Sequence, residues 1–152
     1  MNVAKVRGRS LEKVKTIAPE ATLQQAAESL ADYDIGLLVV CDGGGCNEKE
    51  AGGVIAGVLS ERDIVRFVGD YGADALTRPV SSAMTRDVQT CGSSDDIDAV
   101  LSAMAQGGFR HMPVVKQGRL AGMVSSTDII NYLQRHATDQ DRALFWSKII
   151  WV

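Results

Sequence analysis

Apolar residues fall along this chain in two kinds of run. Leu23, Ala26, Ala27 and Leu30 recur at helical spacing, and Thr22 with Gln25 three residues later has the form of a capping box opening that helix. Gly36-Leu37-Leu38-Val39-Val40 and Gly53 to Leu59 are instead continuous apolar runs of strand length, separated by a glycine-rich loop from Asp42 to Gly52. Ahead of the helix, Val14-Lys15-Thr16-Ile17 reads as a short strand ending at Pro19. After Leu59 a second helix is expected through Val68. Val3, Val6 and Leu11 make a short amphipathic start. Gly69 to Ser82, with Gly69, Gly72 and Pro79, reads as a connector.

The pattern then begins again. Val88-Gln89-Thr90-Cys91 repeats Val14-Lys15-Thr16-Ile17, and Ile97, Val100, Leu101 and Met104 repeat the helical stripe. Asp96 stands where Thr22 stood, one N-cap residue for another. At the next strand Val39-Val40 aligns with Val114-Val115, which places one extra residue near Gly107-Gly108 in the second copy. The first copy carries the longer loop before its last strand. Each copy therefore reads strand, helix, strand, strand, helix. A unit of about sixty residues buries its own sheet face poorly, so two copies facing each other are expected.

One polar corner is also written twice. Gly57-Val58-Leu59-Ser60-Glu61-Arg62-Asp63 returns as Gly122-Met123-Val124-Ser125-Ser126-Thr127-Asp128. Each copy is a strand that ends, a hydroxyl at the turn, and a helix presenting an aspartate in its first turn. Amides at a helix start favour anions, and a carboxylate there accepts hydrogen bonds from a sugar diol. The bland reading makes both aspartates helix caps and leaves Arg62 and Arg66 on a solvated face.

Composition narrows the classes. The 152 residues are 45% hydrophobic and 23% charged with a net charge of −3, a balance that disfavours nucleic acid as a partner. The apolar runs are far shorter than the roughly 20 residues a membrane helix needs. Lys5, Arg7 and Arg9 are followed by no apolar core, so no signal peptide is expected. Three cysteines without framework spacing suit a reducing cytosol, and Cys41 and Cys46 beside Gly43-Gly44-Gly45 read as ordinary loop thiols. The glycine run lacks the Lys-Ser/Thr of a nucleotide-hydrolysing loop. His111 and His136 are the only histidines and belong to no nucleophile–base pair or metal cluster, so no enzyme is expected.

Five segments in register carry a resemblance: Ile35 to Val40, Gly57 to Asp63, Met84-Thr85-Arg86-Asp87-Val88, Arg110-His111-Met112-Pro113-Val114-Val115, and Gly122 to Asp128. From about Val14 to Leu133 the chain resembles a tandem pair of CBS domains, the regulatory module named after cystathionine beta-synthase. Its length is similar to that of stand-alone bacterial pairs. The resemblance implies an α+β fold of two pseudo-symmetric β-α-β-β-α units packed sheet to sheet, followed by a C-terminal helical tail. The corresponding boundaries are 1–13 for an N-terminal segment, 14–68 and 83–135 for the two units, 69–82 for the linker and 136–152 for the tail.

It also implies a non-catalytic sensor that needs no cofactor and takes an adenosine-containing effector (AMP, ADP, ATP, S-adenosylmethionine or NAD) in clefts between the units. By that resemblance Asp63 and Asp128 hold ribose hydroxyls, and Ser60 and Ser125 meet a phosphate, with Thr127 a further donor. Thr16, Ile17, Thr90 and Cys91 meet the adenine edge through their backbone, and Leu38 and Pro113 line the base pocket. Arg62, Arg110 and His111 are the nearest cations for a phosphate tail. Ile35-Gly36 replaces Arg110-His111 in the first copy, so unequal clefts are expected.

Beyond the repeat, Leu144-Phe145-Trp146 and Ile149-Ile150-Trp151-Val152 hold both tryptophans after a polar break at Thr138 to Arg142. An apolar tail that short is expected to pack on its own domain or a partner subunit, and a homodimer is the preferred reading. A separate regulated protein is the other partner expected. The alternative function is a scaffold or homodimerisation module with vestigial ligand sites.

Overall fold

The computed structural model describes residues 1–6, 8–10, 13–42 and 54–149. In chain order the elements are β1 (Arg9–Ser10), β2 (Thr16–Ile17), α1 (Leu23–Tyr33), β3 (Leu37–Cys41), β4 (Ile55–Ser60), α2 (Glu61–Tyr71), α3 (Ile97–Gly107), β5 (His111–Lys116), β6 (Arg119–Ser125), α4 (Ser126–His136) and α5 (Asp139–Ile149). Side-chain caps open the helices. Gln25 N donates to Thr22 Oγ1 and Thr22 N to Gln25 Oε1, the capping box read from the sequence. Asp96 accepts from Asp98 N to start α3. α1 then buries Leu23, Ala26 and Leu30, and α3 buries Ile97, Val100 and Met104.

Two three-stranded sheets result. β3 pairs antiparallel with β4 and parallel with β2, while β6 lies between β5 and β1. Their registers correct the alignment of the two copies. Leu37 faces Ser60 as His111 faces Ser125, and Val40 faces Gly57 as Val114 faces Gly122. Val40 therefore corresponds to Val114, not Val115, and no residue is inserted near Gly107-Gly108. Asp34 and Gly108, both left-handed, end α1 and α3 at matching positions. Matching the two Val-Val doublets by identity had shifted the strand by one residue, which would turn every side chain to the opposite face.

The sheets pack through Val39, Cys41, Leu120 and Met123, with Val14, Leu37 and Ile55 against them. Each unit also has its own core, and the two cores are completed crosswise. Val3 and Val6 lie in the second unit's core with Ile97, Val100, Met112, Ile129 and Leu133. Val80, from the connector, lies in the first unit's core with Leu23, Leu38, Leu59 and Ile64. Backbone bonds follow the same exchange: Val3 N donates to Asp95 O and Val80 N to Ala21 O, while Thr85 and Val58 exchange amide and carbonyl. That last approach explains Gly57 in the motif. A Cβ there would stand 2.7 Å from Thr85 O.

Three expectations change in detail. Val88 to Cys91 forms no strand beyond a single bridge from Cys91 to Val114. The connector is organised as two 3-10 turns, Gly72–Thr77 and Val80–Ser82, which bury Ala75 and Val80. The polar break at Thr138 is a helix start, where Thr138 Oγ1 accepts from Asp141 N and Thr138 N donates to Asp141 Oδ2. The Thr138 hydroxyl also donates to Asp141 Oδ2 at 2.7 Å, and that bond, followed by the one from Thr138 N, holds the Asp141 carboxyl below the usual range. Leu11, the Gly43-Gly44-Gly45 loop with Cys46, and Ile150 to Val152 lie outside the described residues.

Candidate functional site

The repeated corners are capping boxes in both copies. Asp63 N donates to Ser60 Oγ at 3.1 Å and Ser60 N returns to Asp63 Oδ2 at 2.9 Å. Ser125 and Asp128 make the same pair at 3.1 and 2.8 Å. Both aspartates thus cap helices, and that role leaves each carboxylate with acceptor capacity to spare. The copies spend it differently. Ser125 Oγ donates to Asp128 Oδ2 at 2.7 Å. Asp63 has Thr85 Oγ1 at 3.5 Å from both its oxygens, a weak contact that a ligand hydroxyl can replace.

Asp63 stands in a cleft between the units. A cavity of about 290 Å³ is walled by Ser60, Asp63 and Arg66 from the first unit, and by Thr85, Asp87, Val88 and Gln89 with Phe109, His111 and Pro113 from the second. That volume is close to the lower bound of about 300 Å³ for small-molecule sites. A second hollow of about 400 Å³ shares Leu37, Ser60, Arg62, Gly108, Phe109 and His111 as lining and adds Glu61, Val65 and Arg110. Arg62 crosses the gap, donating to Gly108 O at 3.1 Å. Gly107 matters here for its missing side chain, since a Cβ would meet the Phe109 ring at 2.2 Å.

The structure therefore brings together Ser60, Arg62, Asp63, Arg110, His111 and Pro113 of the residues singled out in the sequence. It places others elsewhere. Leu38 is wholly buried in the first unit's core, and its neighbour Leu37 faces the cavity instead. Thr16 and Ile17 are paired with Val39 and Val40 in β2. Cys91 donates its amide to Pro113 O and accepts from Val115 N, so its backbone is spent inside the sheet. Its thiol points to Pro113 O in the core, and burial, helped by the charge of Asp95, pushes it up to about 11. Thr90, exposed on the stretch before it, lines neither hollow, and Val88 and Gln89 take the wall positions. Thr85, Asp87, Val88, Gln89, Arg66 and Phe109 join the site without having been assigned to it from sequence.

Around Asp128 the surroundings differ. A polar groove of about 330 Å³ runs along α4, walled by Asp128, Asn131, Tyr132, Arg135 and His136 with Lys5 opposite. Neither Ser125 nor the exposed Thr127 lines it. By the corrected register, Tyr33 and Lys15 hold the positions equivalent to Gly107 and Gln89, and Lys15 Nζ lies 4.2 Å over the Tyr33 ring. An aromatic side chain under a cation thus replaces the glycine that opens the first cleft.

Comparison with known proteins agrees with this architecture. The model of the CBS domain matches residues 8–70 and 80–135. The crystal structure of the CBS-domain containing protein ATU1752 from Agrobacterium tumefaciens is 35% identical, with a TM-score of 0.75 over 86% of this chain and 98% of that one. An uncharacterized 17.7 kDa protein in the bps2 3′ region of Acidianus ambivalens is 32% identical over 130 residues, 85% of this chain and 73% of its own. The crystal structure of CBSX2 in complex with AMP has the same fold, with a TM-score of 0.73 over 88% of this chain and 96% of that one at 17% identity. With two matched copies whose sheets pack face to face, the chain belongs to the CBS domain family as a tandem pair.

Proposed function

We propose that this CBS pair is a non-catalytic sensor that binds an adenosine-containing ligand in the cleft beside Asp63. The observation that carries the reading is a half-buried carboxylate with spare acceptor capacity, facing a cavity whose walls come from both units. A ribose diol needs such an acceptor, and Leu37, Phe109 and Pro113 offer apolar surface to a base. The AMP held by CBSX2, a protein of the same fold, supports the choice of ligand class. A ligand touching both units shifts only the arrangement it binds better, so its output is a change in how units or subunits sit together. The buried free thiols Cys41 and Cys91 suit the cytosol as its setting.

Calorimetric titration of the full chain with AMP, ATP, NAD and S-adenosylmethionine tests this. At least one is expected to bind with Kd below about 1 mM. At a hundredfold excess over Kd it should add about 2.7 kcal/mol of stability, visible as a raised melting temperature. Absence of both heat and thermal shift at millimolar ligand would remove the sensor reading and leave the scaffold reading.

Assembly into a homodimer accompanies the proposal, and exposed apolar residues support it. Leu144 and Trp146 on α5 are 57% and 47% exposed, and Val65 and Tyr71 on α2 are 70% and 47% exposed. Removing residues 143–152 is expected to turn the dimer into monomers by light scattering. A dimer that survives the truncation would exclude the tail as its contact.

A further inference from the structure

The groove along α4 is basic, and the helix that follows it is acidic at its start. Lys5, Arg135 and His136 wall the groove against one carboxylate, Asp128, which already accepts Ser125 N and Oγ at 2.8 and 2.7 Å. Lys5 comes from the N-terminal 3-10 turn and Arg135 from the last turn of α4, and among the described residues neither has an ion pair. The rings of Tyr132 and His136, with centroids 4.8 Å apart, give the same groove an aromatic wall. α5 starts just past His136 and lies beyond the residues matched to the CBS domain. Arg142 Nη2 donates to Gln134 O at 2.9 Å, which ties α5 to the end of α4. Its first turn carries Asp139 and Asp141, and Leu144 follows one turn later, 57% exposed. None of the described side chains of α5 is buried, and none lines the groove.

We propose that the groove along α4 is the docking site for α5 of a second copy of this chain, Lys5 and Arg135 of each protomer facing the partner's Asp139 and Asp141. The inference rests on the homodimer reading and names the surface that receives the tail. A surface that is basic and then acidic along one stretch of chain complements itself, which a two-fold contact between identical chains requires. The lengths also agree: at 1.5 Å per residue the groove from Asp128 to His136 runs about 12 Å and α5 about 16 Å. Exposed ion pairs add little affinity singly, so the charges fix orientation while Leu144 supplies apolar surface. The docked helix covers Asp128, which gives the second corner a protein occupant.

Charge reversal in the full chain, read by light scattering, tests the contact. Arg135→Glu and Asp139→Lys, each alone, are expected to dimerise about tenfold or more weakly than the unaltered protein, because each places like charges opposite one another twice. An equimolar mixture of the two variants should recover the dimer, since both contacts of the mixed pair are then opposite in sign. Recovery on mixing cannot come from a contact within one chain, as each chain still carries its single substitution. The recovered dimer should weaken as salt is raised. Dimers of undiminished strength in both single variants overturn the groove as the contact and leave the homodimer standing. So does a mixture that stays monomeric while melting curves show both variants folded. An unaltered protein that is monomeric overturns both readings.

Discussion

Val3→Asp is expected to unfold the second unit, although Val3 precedes the first unit in the chain. The side chain is 5% exposed and packs in one core with Ile97, Val100, Met104, Val124 and Leu133. Its amide is bound to Asp95 O. The substitution removes about 1.5–3 kcal/mol of apolar burial and places an unpaired charge where the effective penalty is several kcal/mol more. Against a domain stability of about 5–15 kcal/mol, that is a large share. At about 2–8 °C per kcal/mol the melting temperature should fall by on the order of 10–30 °C, measured by circular dichroism. Val65→Asp, on the exposed face of α2, should change stability by only about 0.5 kcal/mol and serves as the control. Similar melting of the two variants would mean that the N-terminal segment does not complete the second core.

This crossing was invisible in the sequence for a definite reason. Val3 and Val6 announce that they will be buried, but apolarity carries no address. Adjacency in the chain would point to the first unit, whereas the contacts lie in the second. Local signals fared better. Thr22 with Gln25 and Ser60 with Asp63 specify helix starts through bonds spanning three residues, which a sequence displays in full. The repeat was equally plain, yet its register was misread by one residue at β5, because a Val-Val identity outweighed the strand's alternation of faces.

The site divides along the same line. Asp63, Ser60 and the arginines were legible because their motif is local and its chemistry specific. Thr85, Asp87, Val88 and Gln89 were not, since Met84 to Val88 was read as a family signature and Val88 to Cys91 as a strand. A strand would have alternated its side chains between two faces. With only Cys91 bridging to β5, Val88 and Gln89 are free to turn toward the cleft. Phe109 depends on a residue with no side chain at all: Gly107 lets the ring fold back where a Cβ would block it.

Asp63→Asn and Asp128→Asn should separate two corners that share one sequence motif. Asparagine keeps one side-chain oxygen, enough to accept the Ser60 or Ser125 amide, so neither variant forfeits its helix start outright. What Asp63→Asn loses is the second, charged acceptor, and its amide group turns donors toward ribose hydroxyls that also need to donate. Hydrogen bonds to a charged group contribute about 1.5–3 kcal/mol each. Two of them lost from a diol weaken the adenosine ligand by about 100-fold or more. Asp128 already accepts Ser125 N and Oγ at 2.8 and 2.7 Å, and Tyr33 and Lys15 hold the positions that are open in the first cleft. Asp128→Asn should therefore leave affinity within about twofold, since it removes no acceptor from the occupied cleft. Calorimetry on both variants, with melting curves to confirm their folding, decides the matter. A stoichiometry near one per chain, lost with Asp63 and kept without Asp128, assigns the work to the first cleft. Equal losses from the two variants would mean that both corners hold ligand, and the shared motif would then outweigh the differences in Asp128's hydrogen bonding and in the Tyr33 side chain.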